Sequence, residues 1–280
     1  MTLRRSSLAL ADQIVTIIAE IGPPMGVRQM FYQCVVRELI PNSRSGYRKV
    51  QRLLDLLRDS GDVDDDDIVD RSRPVHKAAM WGDAGELLAA AADQYRKDVW
   101  VTQPERVEVW LEKDALVGVV EQVTREFGVV LMPARGFSSR TGLYQAAERI
   151  NDADKPTTIY YLGDHDPSGC DMDRDIQHRL LEKFDAYPTF ERIAILDTDI
   201  TTFNLPPQLV KNTDSRADKF TKKYGTKTVE LDALPPDELR RRIEAAIRSH
   251  IDDEAWQRTL QVEAAERDSL AAYVKGWKLA

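Results

Sequence analysis

Thr157-Thr-Ile-Tyr-Tyr-Leu162 runs directly into Gly163-Asp164-His165-Asp166-Pro167-Ser168-Gly169. The first six residues are β-branched, aromatic or aliphatic and read as a strand, and the Pro and Gly behind the acids mark a turn into a helix. Working outward, the same alternation repeats. Arg106-Val-Glu-Val-Trp-Leu111 is strand-like, Asp114 to Phe127 helical, Val129 to Met132 a strand and Thr141 to Asp152 a helix. Beyond the quoted stretch, Gly169 to Phe184 reads as a helix and Arg192 to Leu196 as a strand. Strands alternating with helices predict an α/β fold with a parallel sheet covered on both faces, in which function gathers at the carboxyl ends of the strands.

That rule singles out three acids. Glu112 ends the first strand, and Asp164 and Asp166 follow the third. Provided those strands are neighbours, the three carboxylates converge on one rim, an all-oxygen donor set suited to Mg²⁺, which also takes phosphate oxygens as ligands. Alternate residues of an extended backbone project the same way, so a D-x-D pair makes a good chelate. The same pair followed by Pro and Gly also fits a plain helix-entry turn. Asp197 and Asp199 follow the next strand and read first as helix capping or a solvated turn, and second as supplementary ligands.

The amino-terminal part has another rhythm. Ile14, Val15, Ile17, Ile18 and Ile21 fall at helical spacing before Gly22-Pro23-Pro24. Val27, Met30, Phe31, Cys34 and Val35 form one apolar arc of a second helix, with Tyr32 at its edge and Arg28 one turn away on the same face. A third helix turns Tyr47, Val50, Leu53, Leu54 and Leu57 inward and leaves Arg44, Arg48 and Arg52 on the opposite side. From 28 to 58 there are seven Lys or Arg against two acids. Three short helices with a basic last face suit a helix-turn-helix or winged-helix module lying on DNA. A solvated helix face fits that stripe as well.

Composition bounds the rest. With 280 residues, 42% of them hydrophobic, the chain is long enough for about two domains with real cores. No apolar run approaches the ~18 residues of a membrane-spanning helix. Arg4 and Arg5 resemble a signal n-region, but the apolar stretch behind them stops at Asp12, and a cytoplasmic location is expected. Cys34 and Cys170 are the two cysteines, without C-x-x-C spacing, which argues against a disulfide framework or structural zinc and for reduced packing residues. Asp62-Val-Asp-Asp-Asp-Asp67 lacks the Gly and Glu of a calcium loop and reads as a solvated turn. The net charge of −8 leaves DNA binding to local patches, one of which is the run of six cations against two acids over 211–227. Residues 84–97 read as a helix and 99–105 as a linker, giving a helical unit over 1–100, an α/β unit over 101–210, and a basic loop with two helices over 211–280.

Glu112 in Val-Glu-Val-Trp-Leu-Glu-Lys-Asp and Asp164/Asp166 in Leu-Gly-Asp-His-Asp-Pro-Ser-Gly resemble the toprim domain of topoisomerases, primases and related nucleases. Arg28-Gln-Met-Phe-Tyr32 and the basic helix after it resemble the winged-helix (CAP-like) catalytic motif of the topoisomerase VI A subunit family, with Phe31 where the family has the first of two tyrosines. Domain order agrees over most of residues 10–240, and the length is similar to the compact, standalone members of phages and mobile elements. The resemblance implies a winged-helix domain followed by a Rossmann-like toprim domain. It implies that Tyr32 attacks a phosphodiester of double-stranded DNA, aided by Arg28, while Glu112, Asp164 and Asp166 hold Mg²⁺. Glu112 is alternatively the acid or base for the leaving 3′-oxygen. Arg44, Arg48, Arg52 and Arg135 would contact DNA, and a homodimer would make double-strand breaks, with Tyr32 of one protomer meeting the toprim site of the other. Need for an accessory protein stays open. Two alternatives remain: a toprim nuclease using water, and a non-catalytic winged-helix DNA binder.

Overall fold

The computed structural model describes residues 5–68, 78–134, 139–210 and 216–277. It is a mixed α/β protein, and its four-stranded sheet is parallel throughout, in the order β2-β1-β3-β4. The strands are β1 (Arg106–Leu111), β2 (Val130–Pro133), β3 (Thr157–Leu162) and β4 (Thr189–Ala194). The helices that connect them are α5 (Val117–Glu126), α6 (Arg140–Asp152) and α7 (Pro167–Phe184). Ahead of the sheet lie α1 (Arg5–Ile21), α2 (Val27–Val36), α3 (Arg44–Ser60) and α4 (Ala84–Gln94). After it come α8 (Asp197–Thr202), the two-stranded β5 (Gln208–Leu209) and β6 (Lys227–Thr228) around α9 (Ala217–Tyr224), then α10 (Pro236–Arg248) and α11 (Asp253–Trp277). No described helix is long and apolar enough to cross a membrane.

Period-two alternation sorts the sheet residues onto two cores. Val107, Val109, Leu111, Tyr160 and Leu162 join a cluster with α5, α10 and the inner faces of α1 to α3. Trp110, Ile159 and Tyr161 pack on the other face with Leu143, Ala146, Met172 and Ile176 of α6 and α7. The helix after β1 therefore covers one face and the helix after β3 the other. Since β1 and β3 are adjacent, a crevice opens between their carboxyl ends, the topological switch point where open α/β sheets bind ligands.

In the amino-terminal region the expected three helices form. Ser43 caps α3 by accepting a hydrogen bond from Gly46 N–H at 3.1 Å, and Gly61, at φ +79°, ends the helix in the left-handed conformation. Val50, Leu53, Leu54 and Leu57 are buried as the periodicity requires. A single parallel bridge, Met25 to Ile68, is the β pairing of this region among the described residues, and 69–77 lie outside them. Asp65–Asp67 form a 3-10 turn.

The segment read as a linker is instead anchored. Val99 and Trp100 are buried in a 3-10 turn, Trp100 Nε1 donates to the Phe127 carbonyl at 2.7 Å, and the Lys155 ammonium donates to the carbonyls of Trp100, Val101 and Gln103. Aromatic burial overrode the polar composition around it.

Candidate active site

Register fixes the heart of the site. Leu111 pairs with Leu162, and Glu112 N–H donates to the Leu162 carbonyl at 2.9 Å, so Glu112 lies beside Gly163 at the rim. A Cβ at Gly163 would stand 2.7 Å from Glu112 Oε2, and one at Gly169 would stand 2.3 Å from the Asp164 carbonyl. Both glycines are present because the carboxylate and the loop backbone approach so closely. Glu112 Oε2 accepts from Asp164 N–H at 2.8 Å. Burial, followed by the charge of Asp164, pushes the Glu112 carboxyl up to about 7; Asp166 adds to this, while Asp164 N–H and Arg192 oppose it.

Asp164 Oδ1 accepts from Leu231 N–H at 2.7 Å and lies 3.2 Å from Lys113 Nζ. Burial outweighs these partners and holds its carboxyl above the ordinary value. Asp166 is N-cap of α7: its Oδ1 accepts from Gly169 N–H at 2.7 Å, with Pro167 in the first helical turn. His165, between the two acids, projects the opposite way and packs against Phe220 and Tyr224. The structure thus brings Glu112 and Asp164 together and commits an oxygen of Asp166 to a helix cap. Among the described residues no group of three or more His, Cys, Asp or Glu side chains is assembled for a metal ion. Two carboxylates still fit Mg²⁺, which commonly binds through one or two protein carboxylates plus water and phosphate oxygens. The chemistry of the pair favours a cation, since Glu112 is half-buried next to like charge.

Arg192 on β4 holds this loop in place. Its guanidinium donates to the carbonyls of Gly163 at 2.7 Å and Gly169 at 3.0 Å, pairs with Asp173 at 2.6 Å, and lies over the Tyr161 ring.

Tyr32 occupies a neighbouring cleft of about 540 Å³ shared with Arg28, Arg44, Tyr47, Gln208 and Glu230. The ring is largely buried, with 4% of its surface accessible, and its hydroxyl is 3.5 Å from Gln208 Nε2. Arg28, four residues earlier, lies 5.8 Å from the ring centre, as the helical spacing requires. Burial and the Glu230 charge raise the phenol above its ordinary pKa, against Arg28 and Lys113, which lower it.

Cleft and rim are joined by ion pairs. α2 packs on the 3-10 turn Leu231–Ala233. Arg28 pairs with Glu230 and, at 3.3 Å, with Asp232; Lys113 pairs with Glu230 at 2.9 Å, Asp232 at 2.6 Å and Asp164 at 3.2 Å. Burial would depress Lys113, but the three acids outweigh it and hold the ammonium above its usual range. This chain of charges runs from the Tyr32 cleft to the carboxylate rim.

Arg44, Arg48 and Arg52 are exposed on α3, and none forms an ion pair among the described residues; the nearby Asp55 is taken by Arg58. Arg135 lies outside the described residues. Asp199 is buried, accepts from Leu196 N–H at 2.8 Å at the start of α8 and pairs with Arg242 at 2.7 Å, while Asp197 is exposed. The capping reading therefore describes Asp199. Cys34 is buried, Cys170 half-buried, and both are free thiols.

Sequence reasoning missed Lys113, Arg192, Glu230 and Asp232. A cation directly after Glu112, and an arginine inside the otherwise apolar end of β4, were the available signals. Nothing local marked Glu230 or Asp232, which lie more than a hundred residues from their partner Lys113. No protein-family model matches the chain, and no curated protein matches it.

Proposed function

We propose that the protein is a Mg²⁺-dependent DNA-cleaving transesterase that uses Tyr32 as nucleophile, with a winged-helix module over the first hundred residues and a toprim-like sheet behind it. The observation that carries this reading is the ion-pair chain linking Arg28, beside Tyr32, to Asp164 and Glu112 through Lys113, Glu230 and Asp232. The Tyr32 cleft and the carboxylate rim are electrostatically connected within one chain, which supports their acting together in the same copy, in place of the pairing across two copies that the resemblance implies.

The phenol oxygen of Tyr32 forms a bond to phosphorus, the bond to the 3′-oxygen breaks, the phenol proton passes to water, and the leaving 3′-oxygen takes up a proton to become a hydroxyl. Arg28, 5.8 Å from the ring centre, stabilises the phenolate and the phosphoryl oxygens. A carboxyl held near 7 exchanges protons readily at neutral pH, which suits Glu112 to protonating the leaving 3′-oxygen. In its alternative role Glu112 is deprotonated and, with Asp164, would hold Mg²⁺, which would supply Lewis-acid stabilisation of the developing charge. The exposed arginines of α3, one of which borders the Tyr32 cleft, supply the duplex contacts. Two copies acting on opposite strands would give a double-strand break.

Supercoiled plasmid incubated with the protein and Mg²⁺, then stopped with detergent, tests this. Broken DNA bound to protein is expected, absent for Tyr32→Phe and Asp164→Ala. A Tyr32→Phe protein that still cuts, leaving ordinary termini, would establish the hydrolytic nuclease, a reading favoured by the burial of the Tyr32 ring. No cutting, with duplex binding indifferent to Mg²⁺, would leave a DNA-binding protein.

A further inference from the structure

Glu230 stands where a nucleophilic tyrosine least tolerates it. Its carboxylate borders the Tyr32 cleft, and one oxygen, Oε2, is shared by the Arg28 guanidinium and the Lys113 ammonium, the latter at 2.9 Å. A negative charge beside the phenol opposes formation of phenolate. One anionic oxygen between an arginine and a lysine is the arrangement that a phosphodiester oxygen takes in a phosphate site. We infer that Arg28 and Lys113 form the seat of the scissile phosphate, and that Glu230 is an internal anion occupying this seat until DNA displaces it.

The construction of the seat supports an exchange. Its cations are held at two levels. Asp232, whose side chain is fully buried, pairs with Lys113 at 2.6 Å and Arg28 at 3.3 Å and is out of reach of a ligand. Glu230, with 26% of its side chain accessible, is the partner that can leave. When it does, Asp232 keeps both cations aimed at the cleft, and one monoanion replaces another without a new buried charge. Burial raises the Glu230 carboxyl, but Lys113 and Arg28 outweigh this and keep it below its ordinary value, so it is charged at neutral pH and competes with phosphate. Lys113 thereby gains a role as a phosphate ligand next to the carboxylates.

This inference rests on the DNA-cleaving reading. The test is binding of a short fluorescent duplex by the full chain in EDTA, where no cleavage occurs, over a series of salt concentrations. Glu230→Gln is expected to bind roughly tenfold tighter, because the tax of displacing an internal competitor is removed. Its log–log salt dependence should steepen by about one ion, since one further cation meets DNA. Adding Lys113→Gln should cancel both gains. A Glu230→Gln protein that melts cooperatively yet binds no more tightly than wild type, with an unchanged salt slope, overturns the seat while leaving the DNA reading intact. Absence of duplex binding by wild type and variant alike, at low salt, overturns both. Glu230→Ala takes the place of the amide variant should that one fail to fold, with the same expected gains.

Discussion

Helices α3 and α10 each carry four arginines, and they use three of them in opposite ways. On α10, Arg242 pairs with buried Asp199 at 2.7 Å and donates to the Ile193 carbonyl at 2.9 Å, Arg240 donates to the Ile21 carbonyl at 2.7 Å, and Arg241 pairs with Glu238. On α3, Arg44, Arg48 and Arg52 face solvent without an ion pair among the described residues. Counting positive charge along the sequence does not separate the two helices. Commitment does: an arginine already paired inside the protein must lose that pairing to meet a phosphate, whereas an uncommitted one releases counterions on contact and gains affinity.

The largest effect belongs to α10. Arg242→Ala strands Asp199, of which 3% is accessible, and should cost about 3–5 kcal/mol in urea unfolding. A loss below about 1 kcal/mol would mean that the pair is not what distinguishes this helix.

Glu112 extends the comparison to acids, because Asp199 has a guanidinium to balance it and Glu112 has like charges. With its folded pKa raised to about 7 from the ordinary 4.5, Glu112 favours folding while protonated. That contribution is complete below about pH 4.5 and is lost as pH rises through about 7. Glu112→Gln should therefore gain on wild type between pH 5 and pH 8 by about 2–3 kcal/mol in metal-free buffer. A pH-independent difference would place the acid in a balanced environment like that of Asp199.

The smallest stability change is expected on α3. Replacing Arg44, Arg48 and Arg52 together by Ala should alter unfolding free energy by no more than about 0.5 kcal/mol. The same protein should bind duplex DNA with a salt dependence lower by nearly three ions. Loss of fold without loss of binding would reverse the assignments of the two helices.

Much of the architecture was legible because parallel alternation leaves few solutions. Once 106–111 and 157–162 are strands flanked by helices, the acids fall at the carboxyl rim, whereas the adjacency of β1 and β3, which sets Glu112 beside the Asp164 loop, was decided by the tertiary structure. Arg28 and Tyr32 were legible because helical geometry joins residues four apart. Asp166 was not, since the same D-x-D-P-S-G pattern fits a chelate and a helix cap, and the hydrogen bond to Gly169 N–H decides which its Oδ1 serves. Trp100 escaped reading as an anchor because its partner, the Phe127 carbonyl, comes from another element.

The sequence alone set the local spacings: period two in the strands, one helical turn between Arg28 and Tyr32, acids at strand ends, and three arginines on one side of α3. Tertiary structure decided which charges are committed. It set Lys113 and Arg28 around Glu230 and Asp232, gave Asp199 to Arg242, and left the α3 arginines to solvent. The reason is physical: the worth of a charge depends on its desolvation and on the partners within a few ångströms, and both are set by residues far away along the chain.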